Sequence, residues 1–504
     1  MSEGTLPVVS KRACVIGAGF AGLALAIRLQ ASGVETVLVE ARDRPGGRAG
    51  SLVREGFTFA AGHSALADPA MFEELWALSG RALAEDVTLH AVGPLARFLW
   101  ADGASFDLAA DPVALRAEIA RLSPGDLAGY EEFARYAAAA LAEARARPRR
   151  GSLRDPAALA GALPGLAKLQ GWRSADGLVG RFIEDPRLRQ ALATAPLFAG
   201  ANPFAASGGA LAAAAHKRDL AGGLWAPEGG MGALAAAMAR QFERLGGTIR
   251  LHDPVLHIHS IGDRASEVET MSGWRQRFDA VAANADVVHA WRDLLVDAPG
   301  GAARARALAE RPQSPGLFAV HFGLEGSWPG IPHNTVLFGP RWRELVDDIF
   351  DHGVLPADFA MWLHHPSVTD PSLAPPGKSS FSAMIPVANL GRLPIDWETV
   401  GPMLERRVID EIGRRLVPDI HDRIVTRFHR TPRDASLDFN AFLGSGFGPL
   451  AGLAQSAWPL VRHRDDRLAN LYYAGSCVAP GGGLAGAVSS ARNTAALMLE
   501  DLGR

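Results

Sequence analysis

Residues 13–40 read Ala13-Cys-Val-Ile-Gly17-Ala-Gly19-Phe-Ala-Gly22, then Leu23 to Ser32, Gly33, and Thr36-Val-Leu-Val39-Glu40. A short apolar run, a glycine turn, a helical segment ended by glycine and a second apolar run form a βαβ unit of a parallel sheet. The turn fits G-x-G-x-x-G. Gly17 permits the tight turn and Gly19 lets backbone approach a pyrophosphate. Gly22 lets helix and strand pack closely, and the helix N-terminus attracts the anion. Ala18, Phe20 and Ala21 fill the turn between them. Glu40 closes the second strand 18 residues after Gly22, where a carboxylate accepts hydrogen bonds from a ribose hydroxyl. An acidic residue there disfavours a 2′-phosphate, so a plain adenosine dinucleotide is expected.

Ala41-Arg42-Asp-Arg-Pro-Gly46-Gly47-Arg48 follows directly. Paired glycines with an arginine supply close backbone approach and a planar cation for phosphate oxygens. Near the other end, Leu471-Tyr-Tyr-Ala474 reads as a strand, Gly475 to Gly486 as a glycine loop, and Ala487 to Leu502 as a helix. Such a loop can place backbone N–H groups, around Gly475, Leu484 and Ala485, beside the ring or ribityl chain of a bound dinucleotide.

Between these ends the texture changes twice. Residues 105–221 are Ala/Leu/Arg-rich and helical in pattern, including Tyr130 to Arg147, with a break at Pro148-Arg-Arg-Gly. From 222 a strand-and-turn pattern returns, with Gly229-Gly-Met-Gly232 opening a helix and Gly246-Gly-Thr-Ile-Arg-Leu251 entering a strand. Residues 301–459 mix strand-like runs (Leu317 to Leu324, Ser380 to Pro386) with Pro-rich loops. The expected fold class is α/β: a Rossmann-type dinucleotide-binding domain with an inserted α+β substrate domain containing a helical subdomain. The expected division is a discontinuous nucleotide domain (1–104, 222–300 and 460–504), a mainly helical substrate- or membrane-facing region (105–221) and a substrate domain (301–459).

The 504 residues carry 51 Lys+Arg against 54 Asp+Glu, a formal charge of −3, so no basic excess points to nucleic acid. Hydrophobic residues make up 48% and charged ones 21%, as in a globular protein with a sizeable core. Two cysteines, Cys14 and Cys477, build no disulfide framework, and a reducing cytoplasmic setting is the natural reading. The opening Met1-Ser-Glu-Gly-Thr-Leu-Pro lacks the basic start and apolar core of a signal peptide, and no run of about 18 apolar residues occurs. His252, His257 and His259, and the pair His364-His365, read as solvated or structurally paired, and no metal site is expected.

These motifs in this order resemble the bacterial phytoene desaturase family within the FAD-dependent, amine-oxidase-like oxidoreductases, where Gly46-Gly47-Arg48 has the form of a hallmark that favours FAD over NAD. The resemblance extends through Gly56-Phe-Thr-Phe59, Ile183-Glu-Asp-Pro-Arg-Leu-Arg-Gln190, Gly200-Ala-Asn-Pro-Phe204 and Trp225-Ala-Pro-Glu-Gly-Gly230. Further on it includes Ala283-Asn-Ala-Asp-Val-Val288, Phe338-Gly-Pro-Arg341, Val368-Thr-Asp-Pro-Ser-Leu-Ala-Pro375 and Gln455-Ser-Ala-Trp458. It implies FAD as cofactor, removal of hydrogen pairs from a long apolar polyene (phytoene toward neurosporene or lycopene), peripheral attachment to a membrane surface, and a quinone or oxygen as electron acceptor. It also implies that backbone near Val255 meets the adenine. An unactivated allylic C–H requires such a cofactor, because acid–base side chains cannot oxidise a hydrocarbon.

Asp185 and Arg189 lie four residues apart in one of the shared segments. They could form the polar end of a substrate channel or accept a proton, although a structural ion pair on one helix face is the favoured reading. Phe198 and Phe204 could line the channel, with core packing the default. Departures cluster near the expected flavin ring. Ala60-Ala-Gly62-His63-Ser64 stands where the family carries Asp-Ala-Gly-Pro-Thr, Val478-Ala479 stands for Thr-His, and Ala485 for a proline. They leave open a hydroxylated or methoxylated carotenoid as substrate. An amine oxidase on the same scaffold would need an aromatic cage, yet the closing loop has no Trp or Tyr. A non-enzymatic lipid-binding escort sits poorly with the intact glycines and Glu40.

Overall fold

The computed structural model describes residues 11–146, 172–450 and 461–504. The expected break at Pro148-Arg-Arg-Gly and the Gln455-Ser-Ala-Trp458 segment lie outside the described residues.

The βαβ reading of residues 13–40 holds. Arg12–Ile16 pairs in parallel with Glu35–Val39, the two joined by the helix Phe20–Ala31. The helix begins at Phe20, three residues earlier than its apolar pattern suggests, so its first turn opens directly on the glycine loop. Five parallel strands lie in the order Leu471–Tyr473, Ala280–Ala283, Arg12–Ile16, Glu35–Val39, Thr248–Arg250. Segments distant in sequence thus build one sheet. Its strands are apolar without alternation because both faces are covered. Ala13, Val15 and Leu38 pack on one side, while Cys14, Ile16, Val37 and Val39 pack on the other. The C-terminal helix Gly483–Leu502 and the helix Gly230–Arg244 flank Phe20–Ala31.

A second sheet has seven strands: Ile424–Arg430, Gly316–Glu325, Lys378–Val387, Ala360–His364, Asn334–Phe338, Ala96–Leu99 and Ser105–Leu108. All neighbours are antiparallel except Asn334–Phe338 and Ala96–Leu99. Ala96–Leu99, drawn from the N-terminal stretch, therefore joins this sheet rather than the nucleotide-binding strands. Helices Pro112–Leu122, Leu127–Ala146, Pro186–Ala193 and Gly208–Leu220 form the helical layer. Phe133, Ala137 and Leu188 of that layer share a core with Phe98, Phe106 and Phe338 of the strands. The result is a Rossmann-type domain joined to an α+β domain with a helical subdomain. No helix among the described residues is long and apolar enough to cross a membrane.

Candidate flavin and substrate site

The glycine turn is shaped by close approach. Gly17 has φ +100°, and a Cβ on it would lie 2.8 Å from Asn284 O. A Cβ on Gly22 would lie 1.9 Å from Gly17 O, so only glycine lets the helix sit on the turn. Gly46 and Gly47 take φ +119° and +55°, and a Cβ on Gly47 would come 3.2 Å from Gly19 Cα. Gly46 N donates to Ala18 O (2.9 Å), binding the second glycine pair to the first loop. At the N-terminus of Phe20–Ala31, Gly19 offers no side-chain cap, which leaves first-turn N–H groups for an anion.

Glu40 is 7% exposed. Its Oε2 accepts from Ala18 N at 2.6 Å and its Oε1 from Arg42 N at 2.9 Å. Both bonds hold the carboxylate beside the glycine turn, as ribose recognition requires. Arg48 Nη1 donates to Gly446 O (3.3 Å), and the Arg42 guanidinium lies 4.7 Å from the Phe439 ring centre. Asn284, from the segment after Ala280–Ala283, donates through Nδ2 to Gly17 O (3.1 Å).

A cavity of about 520 Å³ runs from this cradle to the face of the seven-stranded sheet. Its lining brings together Gly17, Gly19, Phe20, Ala21, Glu40, Ala41, Arg42, Gly46, Gly47, Arg48, Val255, Gly475 and Leu484. Ala18, Gly22 and Ala485 are not on the lining. Ala18 and Gly22 act through backbone, by the hydrogen bonds of Ala18 and the close contact of Gly22 with Gly17. The glycine cradle, the open helix N-terminus and the placed carboxylate fit the adenosine, pyrophosphate and ribityl parts of a dinucleotide.

The far wall comes from alternate residues of neighbouring strands, which a pleated sheet turns to one face. Ala319, Met384 and Trp362 lie opposite one another in adjacent strands and form an apolar row. The next row is polar: His321, Ser382, His364 and Asn334 stand in register across four strands. His364 Nδ1 lies 2.9 Å from both Ser64 Oγ and Asn334 Oδ1. Ser64 Oγ lies 3.0 Å from His333 Nε2, and His333 Nδ1 lies 2.8 Å from Thr369 Oγ1. Burial disfavours the charged imidazolium. It pushes His333 down to about 3 and His365 to about 4, and holds His364 well below the ordinary range. The row is neutral hydrogen-bonding surface, not a charged patch.

One sequence reading needs correction. Asp185 does not pair with Arg189. Its Oδ1 accepts from Arg187 N and Leu188 N, each at 2.9 Å, as the N-cap of Pro186–Ala193. Arg189 instead forms a two-pronged pair with Asp176. The pairing fails because i,i+4 geometry begins inside a helix and Asp185 stands just outside it, and neither residue lines the cavity. Of the two phenylalanines, Phe198 reaches the cavity, edge-on to Trp362 at 4.9 Å, whereas Phe204 packs against Trp342. His259 is paired with Glu269 (2.8 Å).

His63, His321, Trp362, His364, Met384 and Arg430 on the lining were not singled out as site residues by sequence. The period-two run Leu317, Ala319, His321 carried the signal, as did the departure at His63-Ser64. His63 Nε2 sits 3.6 Å from where a Cβ on Gly483 would stand, beside the closing loop. Of the other departures, Val478 is fully buried in the core behind that loop.

The family model described as flavin containing amine oxidoreductase matches residues 20–499. The chain is 43% identical over 492 residues to a lycopene-forming phytoene desaturase of Pseudescherichia vulneris, covering 98% of this chain and 100% of that one. It is 34% identical over 490 residues to a neurosporene-forming phytoene desaturase of Cereibacter sphaeroides, covering 96% and 94%. Among solved structures, a cyclohexylamine oxidase from Brevibacterium oxydans superimposes with TM-score 0.59 at 17% identity, over 98% and 100% of the two chains, a likeness of fold. With its glycine cradle, its cavity between two sheets and these relatives, the chain belongs to the flavin-containing amine oxidoreductases, among the bacterial phytoene desaturases.

Proposed function

We propose that the protein binds FAD along the glycine cradle and desaturates phytoene, carrying it through neurosporene to lycopene. One observation carries the reading: the nucleotide cradle and the apolar row Ala319–Met384–Trp362 open into the same cavity. Gly17, Gly19 and the first turn of Phe20–Ala31 would hold the pyrophosphate, Glu40 the ribose, and backbone at Val255 the adenine. Gly46 to Arg48 and Gly475 to Leu484 would hold the remainder toward the ring. When bound, the flavin supplies a two-electron acceptor for hydride.

The chain's own residues orient the hydrocarbon and keep water out. Phe198, Trp362 and Met384 present apolar surface and the histidines of the next row stay uncharged, while Arg430, in register with Ala319, is paired with Asp438. The greater likeness to lycopene-forming relatives than to a neurosporene-forming one supports the longer reaction sequence. A substrate dissolved only in lipid supports work at a membrane surface, with a quinone or oxygen taking the electrons.

The test is expression in cells that accumulate phytoene, with pigment separated by chromatography and flavin identified after release from purified protein. Lycopene with FAD is the expected result. Colourless cells containing folded, flavin-loaded protein would remove phytoene as the substrate.

A further inference from the structure

Desaturation removes a hydride and a proton from neighbouring carbons, and the reading above leaves the proton without a destination. The lining offers few candidates. Glu40 is held by two backbone donors at the nucleotide end, Asp286 accepts from Val288 N and Phe442 N, His289 is paired with Asp293, Arg48 and Arg430 are cations, and Asp438 pairs with Arg430. What remains beside the apolar row is the imidazole line.

His321 is distinct within it. The side chain is 1% exposed and lies on the cavity lining. Its ring is flanked by Phe428 (centroids 4.9 Å apart) and Phe59 (5.8 Å), which fix its plane. Nδ1 is 2.9 Å from Ser382 Oγ, while Nε2, the ring atom farthest from the backbone, has no hydrogen-bond partner. An orphaned buried N–H is rarer than an under-satisfied acceptor, which favours a proton on Nδ1, donated to Ser382, and a lone pair on Nε2. By contrast, both oxygens around His364 Nδ1 belong to a closed network through Asn334, Ser64 and His333.

We propose that His321 Nε2 accepts the proton lost by the polyene, a role that rests on the desaturase reading. One C–H bond of the hydrocarbon would break with its electron pair leaving as hydride, for which a flavin held in the cradle would supply the two-electron acceptor. The adjacent C–H bond breaks, its proton forms the Nε2–H bond, and its electron pair becomes the new C=C. The hydrocarbon is oxidised by two electrons and charge balances at the imidazolium.

A weak base suffices, because a C–H bond next to an electron-deficient carbon is far more acidic than an imidazolium. Burial first, and then the Arg430 charge, bring His321 down to about 3. The facing groups are Arg430 from Ile424–Arg430, His364 from Ala360–His364 and His63 beside the closing loop. None is an anion that would trap the proton. His321 therefore stays unprotonated and competent at neutral pH, and releases the proton readily after each step.

The experiment compares the parent protein with His321→Phe, which keeps an aromatic ring between Phe59 and Phe428, and with His364→Gln. Phytoene is deuterated at one or the other carbon of the bond to be desaturated. For His321→Phe, turnover falls by about 100-fold or more while flavin content is retained. A deuterium effect appears at the proton-losing carbon that the parent lacks. A merely structural role would slow turnover without moving the isotope effect between carbons.

Separately, 15N-histidine NMR of substrate-free, flavin-loaded parent protein should show one imidazole, absent in His321→Phe, as the neutral Nδ1–H tautomer at pH 7. An Nε2–H tautomer or an imidazolium in that signal overturns the proposal whether or not phytoene is the substrate. So does unchanged turnover of His321→Phe, or an isotope effect that moves in His364→Gln instead. Failure of the parent to desaturate phytoene, with the expected tautomer present, counts against the substrate reading alone.

Discussion

Gly22→Ala puts a single methyl group where the nucleotide turn and the first helix meet. The added carbon falls 1.9 Å from Gly17 O, 2.8 Å from Asn284 Nδ2 and 3.1 Å from Gly17 C. Two of those atoms are backbone, so no side-chain rotation relieves the contact. Either the helix lifts off or the turn at Gly17 opens, and both displace the N–H groups aimed at the pyrophosphate. Overpacking of this kind costs about 1–3 kcal/mol; charged wholly to binding, it weakens flavin about 5- to 150-fold.

Gly33→Ala serves as control. Gly33 also has positive φ (+80°), yet nothing lies within 4 Å of its added Cβ. It should lower stability through backbone strain alone and leave flavin affinity unchanged. The assay is fluorescence titration of flavin-free protein with FAD, alongside thermal unfolding of the same samples. Gly22→Ala protein that is folded and binds FAD as tightly as the parent would refute the cradle as described.

Met384→Glu places a carboxylate in the apolar row between Ala319 and Trp362. Flavin loading should persist while phytoene turnover, followed by pigment chromatography, is lost. Asp185→Ala removes the acceptor for two helix N–H groups and should cost about 1 kcal/mol in urea unfolding with little change in turnover. A large loss of turnover at unchanged stability would restore a catalytic role for Asp185. His321, His333 and His364 are held neutral by burial, with folded values below the unfolded value of about 6.5. The unfolded chain then binds more protons, so their contribution to stability is complete above pH 6.5 and is lost as pH falls toward 3. The slope is on the order of 1.4 kcal/mol per pH unit per imidazole. Urea midpoints at pH 7.5 and 5.5 should therefore show a smaller drop for His321→Phe than for the parent.

The nucleotide half of the site was legible because its chemistry is local. Gly17, Gly19, Gly22 and Glu40 lie within 24 residues, and each answers a local demand: positive φ at Gly17, an uncapped helix start at Gly19, close contact at Gly22 and a carboxylate at a strand end. The substrate half was not, because it is made by register. Ala319, Met384 and Trp362 become neighbours only once three strands from separate stretches align, and nothing in a single sequence states that alignment. Asp185 shows the reverse failure. Helical spacing suggested a pair with Arg189, but the proline at 186 starts the helix after Asp185, which makes the aspartate a cap. Sheet membership of Ala96–Leu99 escaped for the same reason as the apolar row, since its partner Asn334–Phe338 lies over 230 residues away.

The departures at His63 and Ser64 take on a different meaning when set against that register. The carboxylate of the family pattern is missing at Ala60, whereas His63 stands for a proline and Ser64 for a threonine, one hydroxyl for another. In the folded chain Ser64 Oγ joins two imidazoles, His364 and His333, and His63 borders the closing loop. A carboxylate among those rings would raise their proton affinity and draw an imidazolium into the cavity wall, at a desolvation cost of several kcal/mol. An uncharged serine leaves the wall neutral. The hydroxyl at position 64 and the buried, uncharged histidines thus act in the same direction, toward a wall on which a hydrocarbon can lie beside a base that carries charge only during the reaction.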